Sequence, residues 1–260
     1  MKHHTRYPYY VKPFLVFLLL VGTAGSLAAQ KQVTHQSLFF LRYYGKYQFS
    51  PKWGATLELE DRRFFRDSRN VNWILPRVAV TRSLGNGWSA AAGFTYYLAD
   101  NPAVAGKPID LAVPELRPHE ELSYKQGLGK LSVSHRYRLE ERFTRKTDGD
   151  HLASGYEFHF RMRYQLQLQY PLIKKESPAG SLNAKLADEV MFNLGHSIVR
   201  NTFDQNRVYV ALNYGISRQV QVELGYLKWF QERSSGDQYY SRDIARLTIY
   251  HSLNFYHKKS

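Results

Sequence analysis

The chain has 260 residues, with 36 lysines and arginines against 22 acidic residues for a formal net charge of +14, and it has no cysteine. The absence of cysteine excludes disulfide scaffolds, thiolate zinc sites and cysteine nucleophiles. A hydrophobic fraction of 43% with a negative mean hydropathy argues against a bundle of membrane helices, while the basic excess and an aromatic content of 15% point to an anionic partner, either nucleic acid or a lipid surface.

Residues 1–29 read as a secretory signal peptide: Lys2, Arg6 and Lys12 precede an apolar run from Phe14 to Val21, and small residues follow from Gly22 to Ala29. The run is shorter than the roughly 18 residues of a spanning helix, and no lipobox cysteine follows. Cleavage after Ala28 or Ala29 removes three basic side chains and no acidic one, leaving 14 − 3 = +11 on residues 30–260, expected to form one domain.

Beyond residue 30 no apolar run is long enough for a helix to cross a membrane, so any spanning structure must be strands closed into a barrel. Segments of period two recur in order at 36–48, 53–64, 73–84, 88–99, 115–126, 131–142, 156–170, 182–194, 207–216, 220–230 and 242–256. The clearest is Tyr156 to Tyr170. Its even positions are all apolar or aromatic, and its odd positions are Glu157, His159, Arg161, Arg163, Gln165, Gln167 and Gln169. Between the segments, short connections (such as Gly85-Asn86-Gly87) alternate with longer polar ones at 65–72, 100–114, 145–155, 195–205 and 231–241. The connection 171–181 breaks that order. The pattern predicts an all-β fold, an antiparallel transmembrane β-barrel of the outer-membrane type with short turns facing the periplasm. Eleven segments are visible, but single-chain bacterial barrels have even strand numbers, so twelve strands are expected, with ten the next choice.

Placing the apolar faces toward lipid turns a set of charges of both signs inward. Glu121, Arg136, Arg138, Glu140, Arg142, Glu157, His159, Arg161, Arg163 and Arg207 are expected to form a luminal network, with Glu58, Glu60, Arg62, Arg77, Arg117, His119, Glu189 and Glu223 also inside. Buried charges persist when paired, and arginine grips carboxylates with two parallel hydrogen bonds, so a cross-strand ladder filling a narrow lumen is expected. The alternative is a small porin or channel for anionic or polar solutes.

The string His135-Arg136-Tyr137-Arg138-Leu139-Glu140-Glu141-Arg142-Phe143, the later Phe203-Asp204-Gln205-Asn206-Arg207-Val208-Tyr209, and the opening rhythm around Tyr47, Trp53, Leu57 and Arg62 resemble the uncharacterised barrel family known as domain of unknown function 2490 (DUF2490). The resemblance runs over nearly the whole chain after the signal segment. It implies a signal-peptide-bearing outer-membrane barrel of Gram-negative, mostly Bacteroidetes-like bacteria, and it brings no established activity or catalytic residue. Ile249, Leu253 and Phe255 resemble the C-terminal alternation read by the barrel-assembly machinery, although His257-Lys258-Lys259-Ser260 follow the last aromatic.

Rival functions are weaker on the residues. An outer-membrane lipase would need a serine beside His135 or His251, yet Ser134 and Ser252 are their chain neighbours and point to the opposite face of a strand. A metal site from Glu140, Glu157 and His159 would stand among arginines that repel a cation, so no metal or other cofactor is expected. A nucleic-acid module would gather its basic residues on one exposed face, whereas here they alternate with acids. A soluble β-sandwich would use strands of five or six residues. Expected partners are therefore outer-membrane lipid and lipopolysaccharide, the assembly machinery and an unidentified small solute.

Overall fold

A computed structural model of the protein describes residues 32–66, 70–100, 111–196, 198 and 200–256. The signal segment expected at 1–29 lies outside the described residues. Eleven strands are seen among the described residues: β1 (Gln32–Gln48), β2 (Trp53–Phe64), β3 (Asn70–Gly85), β4 (Trp88–Asp100), β5 (Ala112–Leu128), β6 (Leu131–Asp148), β7 (His151–Ile173), β8 (Leu182–Leu194), β9 (Phe203–Gly215), β10 (Val220–Glu232) and β11 (Gln238–Asn254). They form a closed barrel in which each strand pairs with its chain neighbours, all antiparallel, until β1 meets β11. That closing pair is parallel and in unbroken register from Gln32↔Gln238 to Gln48↔Asn254.

The expectation of twelve strands, or ten, is therefore corrected to eleven. An even count makes the first and last strands antiparallel; here an odd count closes because the two edge strands run the same way and still pair all their backbone groups. The first strand begins four residues before the expected 36, and it starts at the end of the barrel that carries the longer connections.

Some expected loops are strand. The segment 145–155 is almost wholly absorbed into β6 and β7, which meet at the turn Gly149-Asp150. Pairing alone sustains that extension, so alternation of apolar and polar residues fades there and the sequence pattern loses its signal. The connection 171–181 shortens to 174–181, where Gly180 N donates to Gly215 O at 2.8 Å and Gly215 N to Ser181 O at 3.0 Å, tying it to the end of β9.

Side-chain direction follows the pleat. In β9, Val208, Val210, Leu212 and Tyr214 stand on the exposed outer face, while Tyr209, Ala211 and Asn213 are buried inside. The exposed outer face of other strands is likewise apolar, with Leu59, Val78, Val80, Leu122, Leu139, Met162, Leu186, Leu224 and Ile249 upon it. The interior holds the buried charge: Glu58, Glu60, Arg62, Glu115, Arg117, Arg138, Glu140, Arg161, Arg163, Glu189 and Glu223. Apolar outside and ionic inside is the inverse of a soluble barrel or sandwich.

Several bulges adjust this alternation, and two of them place luminal side chains. In β3, one extra residue between Ile74 and Arg77 lets both of those side chains face inward; Pro76 sits in that bulge, where a strand tolerates a residue without an N–H. In β9, Phe203 and Gln205 oppose the consecutive Phe192 and Met191, so Asp204 is the extra residue and is buried among the luminal charges. Glycine matters at one interior position: a Cβ on Gly225 would lie 2.4 Å from the Tyr209 hydroxyl oxygen and 2.5 Å from its ring, so only a glycine leaves that ring its place.

Candidate functional site in the lumen

The lumen has two walls of different chemistry. On the β5–β8 wall, opposite charges sit across from one another because the register pairs Glu121 with Arg138 and Glu140 with Arg161. Arg138 donates from Nε and Nη2 to one Glu121 oxygen, at 3.0 and 2.7 Å. Glu140 is a hub. It accepts Arg161 through one oxygen, with Nε at 2.9 Å, and Arg163 through the other, while Arg138 Nη1 stands 3.7 Å away. Arg163 also grips both oxygens of Glu189, at 2.8 and 2.9 Å from Nη2, and Arg136 reaches the same carboxylate at 2.6 Å. Each arginine thus bridges two strands. Taking such ions out of water is costly, and the network is tolerable because nearly every charge has an opposite neighbour and several hydrogen bonds.

The structure brings nine of the ten expected network residues into the interior and separates the tenth. Glu121, Arg136, Arg138, Glu140, Arg161 and Arg163 are one connected lattice. Arg142 belongs to a separate cluster, paired with Glu115, which also holds Arg117, and its Nη1 donates to His159 Nε2 at 3.0 Å. Arg207 lines the lumen but is held by Gln205 at 3.0 Å, with no ion pair among the described residues. Glu157 is exposed at the rim of the wider cavity and has no ion pair there either. Glu140, Glu157 and His159, weighed above as metal ligands, are thus committed to three different surroundings.

Three participants escape the sequence reading. Glu115 shares the parity of Arg117, His119 and Glu121, which was signal enough to include it; it holds both Arg117 and Arg142. Asp204, 3.1 Å from Arg161, is reached through a bulge that no periodicity discloses. Lys185, paired with Glu223, lies on β8 among small and apolar neighbours.

On the opposite wall, from β9 through β10 and β11 to β1, Arg42, Arg207, Arg242 and Arg246 form no ion pair among the described residues and lie on aromatic rings. Arg42 is 5.7 Å from both the Tyr44 and Tyr250 centroids, Arg246 is 3.8 Å from Tyr209, and Arg207 and Arg242 are 4.2 and 4.3 Å from Trp229. Beneath them is an apolar cluster of Leu38, Phe40, Leu227, Trp229 and Ile244. The run Leu38-Phe39-Phe40-Leu41, apolar on both parities, was the sequence sign that this wall would not follow the rule of apolar outside.

Two cavities occupy the lumen. One of about 320 Å³ lies toward the short turns and one of about 750 Å³ toward the opposite end, and the residues that line both are Arg62, Arg77, Arg163 and Arg207. These four mark the waist. Arg77 is anchored there, with Nη1 donating to both oxygens of Glu58 at 3.0 Å and Nε donating to Thr95. The two histidines weighed above for lipid hydrolysis bond tyrosines: His135 Nδ1 is 2.9 Å from the Tyr164 hydroxyl, and His251 Nδ1 is 3.0 Å from that of Tyr43.

The fold and interior together define a class: a closed β-barrel with an apolar outer wall and a charged, constricted lumen. A family model described as "Protein of unknown function (DUF2490)" matches residues 38–240, and the chain belongs to that family. Among solved structures, one titled "NanC porin structure in rhombohedral crystal form" is similar at 13% identity, over 78% of this chain and 91% of that one, with a TM-score of 0.46. No curated protein matches the chain.

Proposed function

We propose that the protein is an outer-membrane barrel whose narrow lumen takes up and passes small anionic or polar solutes, after export with a cleaved leader at residues 1–29. The supporting observation is the waist. Two cavities meet at Arg62, Arg77, Arg163 and Arg207; Arg62 is paired with Glu60, Arg77 with Glu58 and Arg163 with Glu140 and Glu189, so the uncompensated positive charge that a crossing solute would meet there is that of Arg207. The exposed apolar belt supports the membrane location, because so large a contiguous hydrophobic surface is unfavourable in water and favourable against lipid chains. Outer-membrane lipid, lipopolysaccharide and the assembly machinery are the corresponding partners. The role is non-enzymatic: the histidines considered for lipid hydrolysis are engaged by tyrosines rather than by a serine.

A second reading, a purely structural barrel with a plugged lumen, is favoured by the ion pairs that Glu140 makes across the strands. Planar-bilayer recording separates the two. Small anion-selective conductance from the wild type, with weaker anion preference in Arg207→Ala, supports the channel. Silence from both supports the plug.

A further inference from the structure

Trp229 is flanked by Arg207 and Arg242, with Arg62 a third guanidinium 5.8 Å from its ring, and all four residues line the wider cavity. Arg242 is only 7% exposed, yet its hydrogen bonds go to neutral amides: Nε to Gln36 at 2.7 Å and Nη1 to Gln231 at 2.6 Å. Arg207 likewise has only Gln205. Glutamine oxygens orient a guanidinium but leave its charge uncompensated. Stacking on an indole occupies the face of a guanidinium, whereas its N–H groups lie in the plane and stay available to an acceptor. Neither Nη of Arg207, nor Nη2 of Arg242, donates a hydrogen bond among the described residues. The indole Nε1 of Trp229 is itself buried without a hydrogen-bond partner. A buried donor left unpaired is uncommon, and here it belongs to the ring that both guanidiniums flank.

We infer that Trp229, Arg207 and Arg242 form a binding site for a small oxyanion, a carboxylate or phosphate carried by a solute that enters the wider cavity; Arg62, whose charge is met by Glu60, is not part of it. The Arg207 and Arg242 forks would grip the oxyanion, and the Trp229 ring would hold both guanidiniums beside it. The inference rests on the reading of a lumen open to small solutes, but it does not require passage through the waist.

Trp229 reports on the site directly, since Trp53 and Trp88 are exposed on the barrel exterior and Trp73 falls between the inward Asn72 and Ile74. The test titrates inorganic phosphate and citrate into the detergent-solubilised barrel at constant ionic strength and reads tryptophan emission and binding heat. A saturable response to either anion is expected, with no response to glucose. Arg242→Gln and Arg207→Gln should each raise the midpoint about tenfold, the equivalent of one charge-assisted hydrogen bond, and Arg82→Gln, beside Trp53 and outside both cavities, should leave it unchanged. In Trp229→Phe the emission response disappears and the heat signal weakens. Heat-modifiable gel migration identifies the variants that remain folded, and Arg242→Lys, which keeps charge without the fork, should fall between wild type and Arg242→Gln. A non-saturable response, or equal midpoints in wild type and both glutamine variants, overturns the site. Conduction without binding overturns the site alone; binding in a silent barrel upholds it and removes the channel.

Discussion

Arginine is set into the two walls of this lumen in opposite ways. On the β5–β8 wall, Arg138, Arg161 and Arg163 are neutralised by Glu121, Glu140, Asp204 and Glu189, each by more than one hydrogen bond. On the β9–β11–β1 wall, Arg207, Arg242 and Arg246 rest on Trp229 and Tyr209 and meet no carboxylate. A carboxylate partner cancels charge and links strands. An aromatic partner fixes position while leaving the charge in place. The first wall is suited to holding the barrel together and the second to presenting positive potential to something that visits.

The comparison can be broken most forcefully at Glu140. Glu140→Ala removes the carboxylate that Arg161 and Arg163 share, leaving them only Asp204 and Glu189 for two buried charges, and should cost about 3 kcal/mol in unfolding free energy, while Glu140→Ala with Arg163→Ala should cost less than the single change. Urea titrations in lipid vesicles measure both; equal or greater loss in the double variant would mean that the hub is not held by charge. Next in size is the exterior. Val210→Arg should cost about 2 to 4 kcal/mol if it lies mid-membrane, and Gln165→Arg, which faces the narrower cavity, much less. Gly225→Ala drives a methyl group into the Tyr209 ring and should cost about 1 to 3 kcal/mol, read in the same titrations. The smallest effect belongs to the aromatic wall: Arg246→Gln removes one cation–ring contact and should cost about 1 kcal/mol or less, while reducing the anion preference in bilayer recordings. A loss as large as that of Glu140→Ala would erase the distinction between the walls.

Legibility in the sequence followed the same division. Between Tyr156 and Tyr170 the charged and apolar residues alternate without a break, so both the membership of β7 in the wall and the inward direction of Arg161 and Arg163 could be read directly. Arg138 and Glu140 were equally plain on β6. On the other wall, Leu38, Phe40, Trp229 and Ile244 are apolar and face inward, which hydrophobicity alone assigns to the exterior. Asp204 was hidden because a bulge exchanges the faces of a strand without changing its composition. The strand number failed for another reason: eleven segments were countable, but the rule of even numbers assumes an antiparallel closure, and the pairing of residues some 206 positions apart leaves no local trace.

The parallel closure also determines how this chain could be rewired. In an even-stranded barrel both termini emerge at one end and a short linker can join them, so the fold can be cut at any turn and restarted there. Here Gln32 opens β1 at one end of the barrel and Asn254 closes β11 at the other, with 17 residues of strand between the two levels. At about 3.3 Å per residue, a linker joining them would have to span on the order of 50 Å along the wall or through the lumen. Circular permutants of this barrel should therefore require a linker of some fifteen residues or more, and a short one should prevent the β1–β11 pair from forming.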